Sequence, residues 1–167
     1  MSDADGLAVS GAFGDALTVV EVLRARGQTL ATSESLTGGL VGAAITSVPG
    51  ASNVYLGGAI VYATRLKAEL SGASPATLAG GGVISHDTAC ELAVGIRERT
   101  GANWGLATTG AAGPDPQEGH APGEVWIGVS GGGRTSAERY QFVGDRAAVR
   151  EQSVRAALAL LIRTIGH

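Results

Sequence analysis

QTLATSESLTGGLVGAAI, residues 28–45, carries three kinds of signal in one short run. Gln28 to Thr32 reads as a short strand. Ser33 to Gly39 follows as a loop crowded with hydroxyls, one carboxylate and two glycines. Leu40, Val41, Ala43, Ala44 and Ile45 then suggest a helix, which ends near the Val48-Pro49-Gly50 breaker. A strand that feeds a helix through a small-residue turn is the building unit of an α/β fold. The turn itself admits three readings: a self-capping helix start, a cradle for an anion, or the seat of a nucleophile.

The flanking segments repeat the alternation. Phe13, Ala16, Leu17, Val20 and Leu23 fit a helix period over Phe13 to Arg26, with Gly27 as its stop. Tyr55 to Ala63 reads as a buried strand, and Lys67 to Leu70 as a short helix. Pro75 opens another short turn or helix, and Ser85 caps a helix through Arg99. Trp104 to Thr108 is a strand that runs into a second small-residue turn, Thr109 to Pro114. Residues 115–123 form a polar loop. Val125 to Val129 and Ala137 to Phe142 make a hairpin around Gly131 to Gly133. Asp145 caps a last helix with Val149, Val154, Ala157, Leu158, Leu161 and Ile165 on its apolar face. The expected architecture is a three-layer α/β/α sandwich with a mixed, mostly parallel sheet. Residues 1–11 are expected to form a flexible N-terminus and residues 12–167 one domain.

Composition removes several functions. The chain has 167 residues, 44% hydrophobic, with a formal net charge of −3. An acidic balance argues against a nucleic-acid binder, and 4% aromatics argues against base-stacking platforms. No apolar run reaches membrane-spanning length, and the acidic start MSDADGLAVS lacks the pattern of a signal peptide. A cytoplasmic protein is expected. Cys90 is the single cysteine, so neither a disulfide scaffold nor a cysteine metal cluster is expected within one chain.

One compositional detail is sharper. All but one of the 12 basic residues are Arg; the exception is Lys67. Lys can lose its proton when buried, whereas Arg does not. At its ordinary pKa a lysine is neutral in roughly one molecule in a few thousand at pH 7. Lowering that pKa by about 3 units costs about 4 kcal/mol, which an apolar pocket can impose. Leu66, Ala68 and Leu70 around Lys67 make such a pocket conceivable.

In an open α/β sheet, ligands collect where strands end and helices begin. The turns Ser33–Gly39 and Thr109–Pro114 both fit, and both offer backbone N–H groups and hydroxyls to a phosphate or oxyanion. The plainer alternative for each is helix capping and tight packing. Neither is a GxxxxGK[ST] or GxGxxG fingerprint, and no GxSxG elbow is present. His86, His120 and His167 offer no specific support for a Ser-His-Asp triad. Lys67 is therefore the candidate base for a serine of the first turn, with Tyr62 as a relay.

Six segments then resemble, in order, the CinA C-terminal domain family. They are Ser33-Glu34-Ser35-Leu36-Thr37-Gly38-Gly39, Val48-Pro49-Gly50-Ala51-Ser52, Gly58-Ala59-Ile60-Val61-Tyr62 with Lys67, Gly82-Val83-Ile84-Ser85, Thr109-Gly110-Ala111-Ala112-Gly113-Pro114, and Gly144-Asp145-Arg146. The quoted segments run from Ser33 to Arg146, and the resemblance covers about residues 12 to 165. The resemblance implies an α/β/α fold and hydrolysis of the carboxamide of nicotinamide mononucleotide to nicotinate mononucleotide and ammonia, a step of pyridine-nucleotide salvage. It implies Ser35 as nucleophile, working with Tyr62 and Lys67. Backbone groups near Thr37, Gly38 and Gly39 would hold the oxyanion. Thr109, Gly110 and Arg146 would hold the ribose phosphate end, with Arg150 a weaker candidate. A solvated arginine is the plainer reading of Arg146. No metal and no cofactor are implied, and a homo-oligomer, a dimer, is.

The chain departs from the family pattern at Leu36, where a Cys is usual, at Thr64, where an Asn is common, and around His120-Ala121-Pro122-Gly123, where a lysine is replaced. These departures bear on substrate identity more than on fold. They also motivate a second reading, a non-catalytic nucleotide-binding or interaction module. The pyrophosphatase domain of full-length CinA proteins has no counterpart in these residues, so a stand-alone form is expected.

Overall fold

The computed structural model describes residues 11–166, so the expectation of a flexible start falls, Gly11 apart, outside the described residues. Five strands form one sheet: β1 (Leu30–Glu34), β2 (Tyr55–Ile60), β3 (Trp104–Gly110), β4 (Glu124–Gly131) and β5 (Arg134–Gln141), in the order β2-β1-β3-β4-β5. β2, β1 and β3 run parallel, while β4 and β5 join antiparallel as the hairpin. The sheet is thus mixed, with its parallel strands on the side that carries the quoted turn.

Helices cover both faces. α1 (Phe13–Arg26), α2 (Leu40–Thr46) and α6 (Arg146–Ile165) pack on one face. α3 (Thr64–Ser71), α4 (Pro75–Gly80) and α5 (His86–Thr100) lie on the other. The main core fills the first interface, where Leu23, Leu30, Ile45, Leu106, Ile127, Leu158 and Leu161 are buried together. Each such side chain contributes about 2 kcal/mol of burial free energy.

The caps form where their chemistry predicts. Gly27 ends α1 in the left-handed region at φ 61°, and Asp145 starts α6 by accepting the Ala148 N–H. Ser85 starts α5 by accepting the Thr88 N–H. The strand bounds differ from the sequence reading: β3 runs on through Thr109 and Gly110, expected in the turn, and β5 starts at Arg134 rather than Ala137. β1 spans 30–34 rather than 28–32, because Ser33 and Glu34 are buried strand residues and not loop. β2 is an edge strand and not a buried one: it ends at Ile60, its residues are only half-buried or exposed, and Leu56 and Ile60 face solvent.

The far face is held by close approach. A Cβ on Gly95 of α5 would lie 1.8 Å from the Ser71 carbonyl oxygen of α3. A Cβ on Gly105 of β3 would lie 2.0 Å from the Ala93 carbonyl oxygen of α5. No side chain fits either gap, so α3, α5 and the sheet touch backbone to backbone. Among the described residues no helix is long and apolar enough to cross a membrane.

Candidate active site

The carboxyl ends of the three parallel strands converge on one cleft. Ser35 follows β1, Tyr62 follows β2, Gly110 ends β3 and Ala112 follows it; Leu36, Gln117 and Arg146 complete the lining. That is where an open α/β sheet presents its ligand site.

Strand periodicity sorts the residues of β1. Thr32 and Glu34 point to the α2 side, where Thr32 meets the Tyr55 hydroxyl at 2.6 Å. Ser33 and Ser35 point to the α3 side. Alternate strand residues stand about 6.7 Å apart and one helical turn rises about 5.4 Å. Ser33 of β1 and Ser35 just after it can therefore meet two residues of α3 one turn apart. Ser33 Oγ lies 2.7 Å from Ser71 Oγ, and Ser35 Oγ lies 3.1 Å from Lys67 Nζ.

Lys67 is 2% exposed. Its Nζ donates to the Val61 carbonyl at 3.0 Å and makes a longer 3.5 Å contact with the Tyr62 carbonyl. A neutral amine has two N–H bonds and one lone pair. An ammonium fills the two carbonyl contacts and the hydroxyl contact with its three N–H donors, whereas a neutral amine fills them by turning its lone pair to the Ser35 hydroxyl. Burial pushes the Lys67 pKa below its ordinary 10.5, and the negative charge of Glu118 pulls the other way. Glu118 sits on the 115–123 loop with φ 48°, and its carboxylate accepts the Val83 N–H at 3.2 Å.

The loop after β1 is built around Glu34. One carboxylate oxygen accepts the Thr37 hydroxyl at 2.6 Å and the Gly39 and Val41 N–H groups at 3.0 Å each. The other accepts the Gly42 N–H at 2.8 Å. Glu34 is 2% exposed, and four donors satisfy it where water cannot. This corrects the expected oxyanion donors. The Gly39 N–H is taken by Glu34, and the Gly38 N–H donates to the Ser35 carbonyl at 3.1 Å. Among the described residues the Leu36 and Thr37 N–H groups make no hydrogen bond, so they are the donors left beside Ser35.

On the exposed side of the cleft, one Arg146 nitrogen donates to the Tyr62 hydroxyl at 2.9 Å and the other to the Gly113 carbonyl at 2.9 Å. Ser35, Lys67, Tyr62, Gly110 and Arg146 are thus brought together. Thr109 is not: its buried hydroxyl donates to the Val83 carbonyl at 2.6 Å, on the α5 side of β3. Arg150 is also committed elsewhere, donating to the Leu36 carbonyl at 3.0 Å and the Thr37 carbonyl at 3.3 Å. Among the described residues no group of His, Cys, Asp and Glu is placed to hold a metal ion.

The family model of the CinA C-terminal domain matches residues 14–165. The chain belongs to the CinA C-terminal domain family. A CinA-like protein of Frankia casuarinae is 43% identical over 162 residues, covering 96% of this chain and 37% of its own. A CinA-like protein of Solibacter usitatus is 40% identical over 155 residues, covering 91% of this chain and 37% of its own. The chain thus spans a little over a third of the length of these curated relatives. The crystal structure of competence damage-inducible protein A from Klebsiella pneumoniae superposes with a TM-score of 0.90 at 32% identity, covering 93% of this chain and 98% of that one.

Within this CinA domain, Glu34 and Glu118 are the residues that reading from sequence missed, and Arg150, expected as a weaker candidate for the phosphate end, holds the Leu36 and Thr37 carbonyls instead. Glu34 had a usable signal, a lone carboxylate among hydroxyls just before two glycines. The contacts of Arg150 had none, because its partners are backbone carbonyls more than a hundred positions away.

Proposed function

We propose that this CinA domain hydrolyses the carboxamide of nicotinamide mononucleotide, releasing ammonia and nicotinate mononucleotide. The observation that carries the reading is the buried 3.1 Å contact between Lys67 Nζ and Ser35 Oγ. A serine becomes a nucleophile when a base lies within hydrogen-bond reach, and a desolvated lysine is such a base.

Neutral Lys67 takes the Ser35 proton as Oγ attacks the carboxamide carbon. The oxyanion is held by backbone N–H groups at the start of the loop. Lys67 then returns the proton to the leaving nitrogen, and ammonia departs. Water attacks the acyl-enzyme by the same proton path and frees the acid. Direct contact between Lys67 and Ser35 makes a relay through Tyr62 unnecessary. Tyr62 and Arg146 instead bridge the cleft, which encloses about 30 Å³ as it stands. Small-molecule sites run to about 300 Å³ or more. A nucleotide therefore enters by parting Tyr62 from Arg146, whose freed guanidinium suits a phosphate.

The test is ammonia release from nicotinamide mononucleotide, with Ser35→Ala as the control. Release no greater than that control would sink the reading, and binding without turnover would mark a non-catalytic nucleotide module. The pH profile supplies a further prediction. Activity should rise with pH through one deprotonation whose midpoint lies below the ordinary lysine value, because the neutral amine is the active form. Glu118→Gln removes the charge that favours the ammonium, so its midpoint should move to lower pH. A midpoint unmoved by that substitution would remove Glu118 from the site's electrostatics.

A further inference from the structure

We infer that Arg150 is a positioning residue that sets the oxyanion hole, by fixing the peptide planes immediately after Ser35. The inference rests on the reading of Ser35 as a nucleophile and concerns a residue outside the cleft lining.

A trans peptide is planar, so its C=O and N–H point in opposite directions. Among the described residues the only cis bond is Gly113–Pro114, so the peptides after Ser35 are trans. Fixing a carbonyl therefore aims the N–H of the same peptide. The Ser35 carbonyl accepts the Gly38 N–H at 3.1 Å, which fixes the Leu36 N–H on the opposite side of that plane. The Leu36 carbonyl accepts Arg150 Nε at 3.0 Å, which fixes the Thr37 N–H in the same way. The Thr37 carbonyl accepts Arg150 Nη2 at 3.3 Å and the Leu40 N–H at 3.1 Å.

The outcome is an asymmetry along the loop. Every carbonyl from Ser35 to Thr37 is anchored, while the N–H groups of Leu36 and Thr37 have no partner among the described residues. Thr37 is fully buried and Leu36 nearly so. Buried N–H groups are nearly always paired, and two adjacent exceptions beside a nucleophile are donors kept for a charge that forms during reaction. Glu34 works on the other side of the same loop, accepting the N–H groups of Gly39, Val41 and Gly42. The carboxylate thus ties down the donors that follow the pair, and the guanidinium holds the carbonyls that aim it.

Were Arg150 lost, the Leu36–Thr37 plane could rotate and turn a carbonyl toward the place where the oxyanion forms. Removing one oxyanion donor lowers turnover about 10²- to 10³-fold. The Arg150→Met variant should therefore lose about 10²-fold in kcat on nicotinamide mononucleotide with KM little changed. A phosphate-holding arginine would show the reverse split.

The deciding measurement uses no amide substrate. A fluorophosphonate probe phosphorylates an activated serine: the Ser35 Oγ–P bond forms, fluoride leaves, and Lys67 takes the proton. Labelling at Ser35, read by mass spectrometry, should be at least about tenfold slower in Arg150→Met than in the wild type. Added guanidinium at a non-denaturing concentration should restore part of the rate. Thermal melting reports whether the variant is folded; if it is not, Arg150→Lys replaces it, and its single ammonium should give an intermediate rate. A folded variant that labels at the wild-type rate overturns the inference while leaving the amidase reading intact. Wild-type labelling without ammonia release defeats the amidase reading but leaves this comparison decisive. Absence of labelling in the wild type overturns both.

Discussion

Lys67→Met is expected to lower ammonia release from nicotinamide mononucleotide by about 10³-fold or more, since a positioned general base contributes up to about 10⁴-fold. Methionine matches the length and apolar stem of lysine but has no proton acceptor comparable to the amine. Lys67→Arg should be almost as poor. The guanidinium stays charged at any working pH and has no lone pair to offer Ser35 Oγ. Its planar fork also does not fit a pocket in which one nitrogen meets Ser35 Oγ and two successive backbone carbonyls. Steady-state kinetics on both variants check this, with circular dichroism to confirm the fold. Activity within tenfold of wild type in Lys67→Arg would remove the lysine from the proton path.

The second large effect is on stability. Glu34→Ala would leave three backbone N–H groups without their acceptor in a buried loop, while the Thr37 hydroxyl keeps the Thr108 hydroxyl at 2.8 Å. Each orphaned donor costs about 1 kcal/mol or more, so the total loss is about 3 kcal/mol. For a chain of this size that corresponds to a fall of roughly 10 °C in Tm. Glu34→Gln should lie between, because its amide keeps one acceptor oxygen but turns an NH₂ toward donors. Thermal denaturation of the three proteins tests the order. A Glu34→Ala melt within a degree or two of wild type would show that the loop does not depend on the carboxylate. The variant should also lose activity, since the same loop carries Ser35.

Much of the architecture was legible because it rests on local chemistry. The α1 helix from Phe13 to Arg26 declares itself by period and by Gly27, and Asp145 announces α6 by its side-chain acceptor. β1 was harder, since it is buried on both faces and shows no polar alternation. Ser33 and Glu34 read as loop because they look hydrophilic, yet inside the sheet they pair with Ser71 and the loop amides. β2 misled in the opposite direction: its apolar run suggested burial, but the strand sits at the edge.

The site was legible to a similar degree. Lys67 stood out by composition, and the ordered motifs placed Ser35, Tyr62 and Arg146 near it. What no local pattern carried was which backbone N–H groups are occupied. That depends on Glu34 and on Arg150, whose partners lie 114 and 113 positions away. Thr109 was misplaced for a simpler reason: strand alternation turns it to the face opposite Thr108, toward Val83.

The missing side chain at Gly95 carries a cost for sequence drift. Residue 95 lines no part of the cleft, yet its hydrogen is all that fits against the Ser71 carbonyl, one helical turn from Lys67. Any larger residue there would have to lift α3, and the lysine rides on that helix. The chain can change much of its surface and leave Lys67 in place beside Ser35. At position 95, on the far side of the helix, it is no freer than at Ser35 itself.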